Sequence, residues 1–182
     1  MDADAALLAQ IAQGDALAIK QMVAHKLPRI LALAMRLLGN RAEAEDVAQE
    51  TFLRIWKHAA DWQTGEAKFD TWVHRVALNL CYDRLRGHKE HATQALDDEA
   101  NHLLDLNATP DESLMLIQQK QSVTQALAAL PNRQREALVL QYYQALSNTE
   151  AASLMDISVE ALESLLSRAR RNMRVFLMAQ AS

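Results

Sequence analysis

Apolar residues recur at three- and four-residue intervals along almost the whole chain, and very little interrupts them. Phe69, Trp72, Val73, Val76 and Leu80 are the clearest case. They follow the i, i+3, i+4, i+7 spacing of one buried stripe on a helix. Four glycines and three prolines in 182 residues leave few breakers. Ala, Leu, Gln and Glu are abundant, and that composition favours helix throughout. The expected fold class is therefore all-α. A chain of this length makes one domain or two small ones.

Other classes are disfavoured early. No apolar run reaches the roughly 18–20 residues of a membrane span. The opening MDADAALLAQ lacks the charged-then-apolar layout of a signal peptide. A single cysteine cannot form an internal disulfide. A reducing cytoplasm is the simplest expectation.

The net charge of −4 looks wrong for a nucleic-acid binder until it is divided along the chain. Residues 1–96 hold 12 basic and 12 acidic side chains; residues 97–118 hold none and 6; residues 119–182 hold 7 and 5. The acidity sits in the middle, and the arginines cluster near the C-terminus. A chain so weakly charged would bind DNA poorly alone, because affinity scales with the phosphates neutralised. It suits a subunit that borrows DNA affinity from a partner. The reading is two small helical domains joined by an acidic flexible linker: 1–90, then 91–111, then 112–182.

Along the first part, a helix is expected over residues 5–25, broken in two at Gly14-Asp15. Helix continues from Leu27 to Leu38 after Pro28, with Gly39 as its stop. Asn40 and Glu43 would cap a helix from Arg41 to about Ala59. That helix has two stripes. Ala44, Val47, Ala48, Thr51, Phe52 and Ile55 face a core, while Asp46, Gln49, Glu50, Leu53 and Lys57 lie opposite. A solvated face with one stray leucine accounts for the second stripe. A docking surface does too, with Leu53 as an apolar anchor ringed by polar groups. After the polar loop 61–68 comes the helix that carries the Phe69 stripe. Its other face repeats Arg75, Asn79, Tyr82 and Arg86 at spacings of four, three and four. Cations, an amide and an aromatic ring are the groups that hold phosphates, read base edges and stack on unpaired bases.

The stretch Ala42–Lys89 resembles the promoter-melting domain of bacterial sigma factors, specifically the small extracytoplasmic-function group. The resemblance is carried by Asp46-Val47-Ala48-Gln49-Glu50-Thr51-Phe52-Leu53, by Phe69-Asp70-Thr71-Trp72 and by Asn79-Leu80-Cys81-Tyr82-Asp83-Arg84-Leu85-Arg86. It implies that Asp46, Gln49, Glu50 and Leu53 meet the clamp helices of the large subunit of core RNA polymerase. It also implies a pocket for a base flipped out of the non-template strand. The matching positions are Lys68, Phe69 and Asn79, with Arg75, Tyr82 and Arg86 on the same minus-ten surface. For Phe69, packing on the apolar stripe beside Trp72 is the competing account. His74 stands where the family often has tyrosine.

Residues 87–111 lose their periodicity and turn acidic, which reads as a linker with a short helix near 99–104. His88, His91 and His102 fall there, but no cysteine joins them. A solvated trio explains them better than a metal site. The resemblance implies that this linker threads the polymerase, its negative charge mimicking nucleic acid.

The second domain repeats the pattern. Helices are expected over 112–130 and 132–144, with Pro131 between them. Ser147 and Glu150 form a capping box for a short helix ending near Met155. Asp156-Ile157-Ser158 makes a tight turn, and Ser158 caps a long last helix. Two helices joined by three residues are the helix-turn-helix layout. Leu130-Pro131-Asn132-Arg133-Gln134-Arg135-Glu136, Leu146-Ser147, Ile157-Ser158-Val159 and Ser167-Arg168-Ala169-Arg170-Arg171 resemble the sigma-factor domain that reads the minus-thirty-five element. Ser158, Glu160, Glu163, Ser164, Ser167 and Arg168 lie near the helix N-terminus, where base contacts are made. Arg170, Arg171 and Arg174 suit phosphates. Family members often carry Lys or Arg where Glu163 and Leu165 stand, and Gly where Asp156 stands. Glu163 could accept from a cytosine amino group but cannot grip a guanine.

No nucleophile and base pair up, and no phosphate loop or ligand cluster appears. No catalytic residue, cofactor or metal is expected. The expected partners are core RNA polymerase, promoter DNA as duplex and melted strand, and an anti-sigma factor, often membrane-anchored in the family. A stand-alone dimeric helix-turn-helix regulator is the competing function. It needs only residues 112–181 and leaves Leu53 and the Arg75–Arg86 face unexplained.

Overall fold

The computed structural model describes residues 3–63, 65, 68–92 and 114–181, and every regular element among them is helical. The chain divides into two compact units, Met1–Ala34 with Ala42–Leu96 and Met35–Arg41 with Asp97–Ser182. Three sequence expectations lie outside the described residues: the flexible linker of 91–111 beyond Ala92, the short helix near 99–104 and any role for His102.

The first two helices, α1 (Ala3–Ala12) and α2 (Ala16–Leu38), break where glycine was expected to break them. Gly14 takes a φ of +80°, a left-handed conformation that costs glycine little. Asp15 then caps α2, its carboxylate accepting from the backbone N–H of Leu17 at 2.8 Å. Pro28 is not near a helix start but inside α2. It removes one backbone donor. The helix survives because Ala18 and Met22 before it, and Ile30 and Leu33 after it, are buried in one stripe. Gly39, at φ +67°, ends α2 as expected.

α3 (Arg41–His58) buries Ala44, Val47, Ala48, Thr51, Phe52 and Ile55, the predicted stripe. Thr51 satisfies its buried hydroxyl on the Val47 carbonyl of its own helix, at 2.7 Å. α4 (Phe69–Ala92) buries Phe69, Val73, His74, Val76, Ala77, Leu78, Leu80 and Cys81. It runs through Gly87 to Ala92, so the helix extends past the point where the sequence suggested a linker. Packing of His88 explains part of this: its Nε2 meets the Glu43 carboxylate of α3 at 2.6 Å.

In the second unit, α5 (Leu114–Ala129) buries only Ala126 and Leu127, while Leu114, Met115 and Leu116 are exposed. Arg135 closes its C-terminus by donating to the carbonyls of Leu127, Ala128 and Leu130 at 2.9, 2.7 and 3.1 Å. A cation there also offsets the partial negative charge of the helix end. α6 (Asn132–Leu138) widens into a π-helical turn, Val139–Tyr143. α7 (Asn148–Leu154) and α8 (Val159–Gln180) complete the unit. Ser147 and Glu150 form the expected capping box on α7.

Candidate nucleic-acid interface

Two surfaces of the first unit carry candidate residues. On α3, Asp46, Gln49 and Leu53 are exposed and Glu50 is half-buried. Leu53 keeps 47% of its surface in water, on the side of α3 opposite the packed stripe. Glu50 accepts from Arg54 at 3.2 Å, and Asp46 lies 3.9 Å from Arg84 of α4. These are surface pairs, worth roughly 0–1 kcal/mol, and a partner can replace them cheaply.

The second surface is the outer face of α4. Asn79 and Arg86 are exposed, and Arg75 and Tyr82 are half-buried. The helical period places all four on one face. Arg86 pairs with Asp83, a turn away on the same exposed surface. Tyr82 differs from expectation in one respect. Its phenol oxygen is buried and meets no partner among the described residues, so the ring, not the hydroxyl, is what it offers. Lys68 is exposed just ahead of α4, and its carbonyl accepts from Thr71 and Trp72 to start the helix. Thr64, Glu66 and Ala67 of the preceding loop lie outside the described residues.

Phe69 is placed otherwise than the other minus-ten candidates. It is 1% exposed. Its ring stacks on Trp72 at 5.8 Å between centroids and meets the Trp62 edge at 5.1 Å. In this structure it supports the surface from beneath and offers no face to a base. His74 is also buried, its Nδ1 2.7 Å from the Asp70 carbonyl. It is spent on the helix, not on a ligand.

In the second unit, backbone bonds close the helix-turn-helix turn. Asp156 adopts φ +53°. Its N–H donates to Ser153 O at 3.3 Å, and the Ile157 N–H donates to Ala152 O at 3.1 Å. This is the paired bonding of a Schellman stop, whose left-handed residue is usually glycine. Arg133 braces the turn by donating to the Met155 carbonyl at 3.0 Å and to Glu136 at 3.2 Å. Ser158 caps α8, its hydroxyl accepting from Ala161 N–H at 3.1 Å. Glu160, Glu163, Ser164, Ser167, Arg168 and Arg171 are all exposed, while Leu162, Leu166 and Ala169 form the buried side. Arg168 donates to Ser164 at 3.1 Å. Arg170, grouped by sequence with the phosphate-binding arginines, turns instead to Tyr142 Oη at 3.0 Å and Gln141 Oε1 at 3.2 Å.

Two features escaped sequence reasoning. One is a groove of about 780 Å³ in the second unit, lined by Leu127, Leu138, Tyr142, Tyr143, Met173 and Leu177 among others. The adjacent tyrosines were its only signal. The other is Glu136, 1% exposed. Burial pushes its carboxyl up to about 8, despite Arg133, whose guanidinium is itself half-exposed. No group of three or more His, Cys, Asp or Glu placed to hold a metal occurs among the described residues. No described helix is long and apolar enough to cross a membrane.

Residues 22–91 match the family model Sigma-70 region 2, and residues 120–173 match Sigma-70, region 4. The chain is 29% identical over 174 residues to the ECF RNA polymerase sigma factor SigW of Bacillus subtilis (strain 168), covering 91% of each protein. Its structure is similar to that of the sigma factor RpoE from Bartonella quintana, solved in complex with the anti-sigma factor NepR. The TM-score is 0.71 at 25% identity, over 87% of this chain and 96% of that one. It is also similar to CnrH, solved with the cytosolic domain of CnrY, with a TM-score of 0.67 at 28% identity over 98% of this chain and 99% of that one.

Proposed function

The chain belongs to the extracytoplasmic-function group of the sigma-70 factors, and on that premise we propose that it is a transcription initiation factor that binds core RNA polymerase, directs it to particular promoters and promotes DNA melting. The observation that carries the reading is the pairing of regions 2 and 4 in one chain, each with its polar face exposed. Leu53 and its neighbours Asp46, Gln49 and Glu50 stand as the polymerase-docking surface. Lys68, Arg75, Asn79, Tyr82 and Arg86 serve the minus-ten element, with Phe69 beneath them. Ser158, Glu160, Glu163, Ser164, Ser167, Arg168 and Arg171 serve the minus-thirty-five element. The working division is 1–90 for the first activity, 91–111 as tether and 112–182 for the second.

The protein makes and breaks no bonds; phosphodiester chemistry belongs to the polymerase, and the pair works in the cytoplasm. An anti-sigma factor holds it inactive; the similar sigma factor RpoE, solved in complex with the anti-sigma factor NepR, supports this by analogy. This chain's own inhibitory partner is membrane-anchored in the simplest scheme. A stand-alone dimeric regulator would leave Leu53 and the α4 face without a task. The test is reconstitution with core polymerase and promoter DNA mapped from transcript starts. A transcript that depends on this chain is expected; its absence overturns the proposal.

A further inference from the structure

α1 precedes the residues matched to region 2, yet one side chain ties it to the start of the DNA-facing helix. Lys26 of α2 is 8% exposed. Its ammonium donates to Asp4 of α1 at 2.7 Å and to Asp70 in the first turn of α4. It also lies 5.7 Å from the centre of the Phe69 ring. Arg29 approaches the other Asp70 oxygen at 3.9 Å. Lys26 therefore grips the first two residues of α4 at once, one by charge and one by its ring. The same ring also contacts Trp62 and Trp72.

The arrangement has a physical logic. Helix ends fray, because their first backbone donors lack intrahelical partners. The first turn of α4 is such an end, and Lys68 leads directly into it. A buried ammonium tolerates no loss of partners, since an uncompensated buried charge is expensive. Asp4 and Asp70 are thus held to one point as long as Lys26 stays buried. Carboxylates near a helix N-terminus are favoured as well, which suits Asp70.

We propose that Lys26, with Asp4 of α1, is a positioning residue for strand opening: it fixes the first turn of α4 and so the geometry with which Lys68 and Asn79 receive an unpaired base. This rests on the reading of that surface as the base-capture site of the minus-ten element. α1 then acts as a brace on the melting surface, with no DNA contact of its own. Loosening the brace by about 1 Å is enough to blunt a site whose supporting groups must hold it closely.

The experiment uses holoenzyme assembled from core polymerase and full-length chain. Promoter duplexes carry either the natural base or an abasic site at each non-template position of the minus-ten element. Permanganate reactivity of unpaired thymines reports opening. The ratio between natural and abasic templates at the most sensitive position measures base capture. Lys26→Met and Asp4→Asn are each expected to lower that ratio by about five-fold, the lower end of what one stacked base contributes. Core polymerase affinity should stay unchanged. A ratio equal to wild type in both variants, even with weaker overall activity, overturns the proposal and leaves Lys26 a purely structural residue. If Lys26→Met fails to fold, Asp4→Asn decides alone, because it leaves the Lys26–Asp70 pair intact. A wild-type ratio of one at every position is a separate result: it refutes base capture on this surface, and this inference falls with it.

Discussion

At position 136 a carboxyl group sits where water scarcely reaches it. Its folded pKa of about 8 stands above the usual 4.5. Between those values the folded protein keeps a proton that the unfolded chain gives up. Stability contributed this way is greatest at acid pH and declines as pH rises toward 8. Glu136→Gln keeps the shape and removes the titration. Chemical denaturation at pH 5 and pH 8 should show wild type losing stability with rising pH and the variant losing less. Asp70 acts in the opposite sense, at acid pH. For Asp70, burial raises the pKa, but Lys26 and Arg29 outweigh it and hold the carboxyl below its ordinary value. Its contribution is present above the normal carboxylate range and is lost as pH falls through the lowered value. Leu53 is a different kind of residue, since it packs against little. Leu53→Ala should weaken core polymerase binding by about 2 kcal/mol if it is an interface anchor. Its unfolding midpoint should not move. Surface plasmon resonance and thermal melting together check the pair of outcomes.

Among the elements, the turn between α7 and α8 is tightly constrained. Asp156 holds a left-handed conformation, and short polar side chains tolerate it better than branched ones. Asp156→Gly should change stability by less than about 0.5 kcal/mol, whereas Asp156→Val should cost more than about 1 kcal/mol. Ser158→Ala removes the cap on α8 and should cost about 1 kcal/mol. Differential scanning calorimetry of the three variants tests the ranking. Equal melting points for Asp156→Gly and Asp156→Val would mean that the backbone there relaxes and the turn is not the constraint inferred. α4 teaches the complementary lesson. Its continuation through Gly87 shows that one glycine, at a cost near 1 kcal/mol, does not stop a helix with a buried stripe before it and a histidine contact to α3 after it.

At the scale of the molecule, charge decides how this chain meets DNA. The net charge is −4, and the acidic residues concentrate in 97–118. With so few cations to displace counterions, the isolated chain should bind promoter duplex no better than about 10⁻⁶ M at physiological salt, a level typical of non-specific binding. Holoenzyme should bind far tighter. Fluorescence anisotropy of labelled promoter, with and without core polymerase, makes the comparison. Tight, sequence-specific binding by the chain alone would restore the stand-alone regulator as the better account.

The helices, their inner and outer faces, the two caps at Ser147 and Ser158, and membership of a two-region family were all written in the order of residues. Periodicity and capping are local, so a dozen neighbouring positions suffice to declare them. What only the tertiary structure decided depends on partners far away in sequence. Lys26 lies 22 residues from Asp4 and 44 from Asp70. No spacing rule announces that these three meet, or that Trp62 joins the Phe69 ring from the preceding loop. Glu136 stood in the sequence only as one letter of a motif, and Arg170 as a cation suited to phosphates, until neighbouring helices buried the first and gave the second a tyrosine to hold. Burial is a property of what packs against a side chain, and that is settled by the whole fold at once.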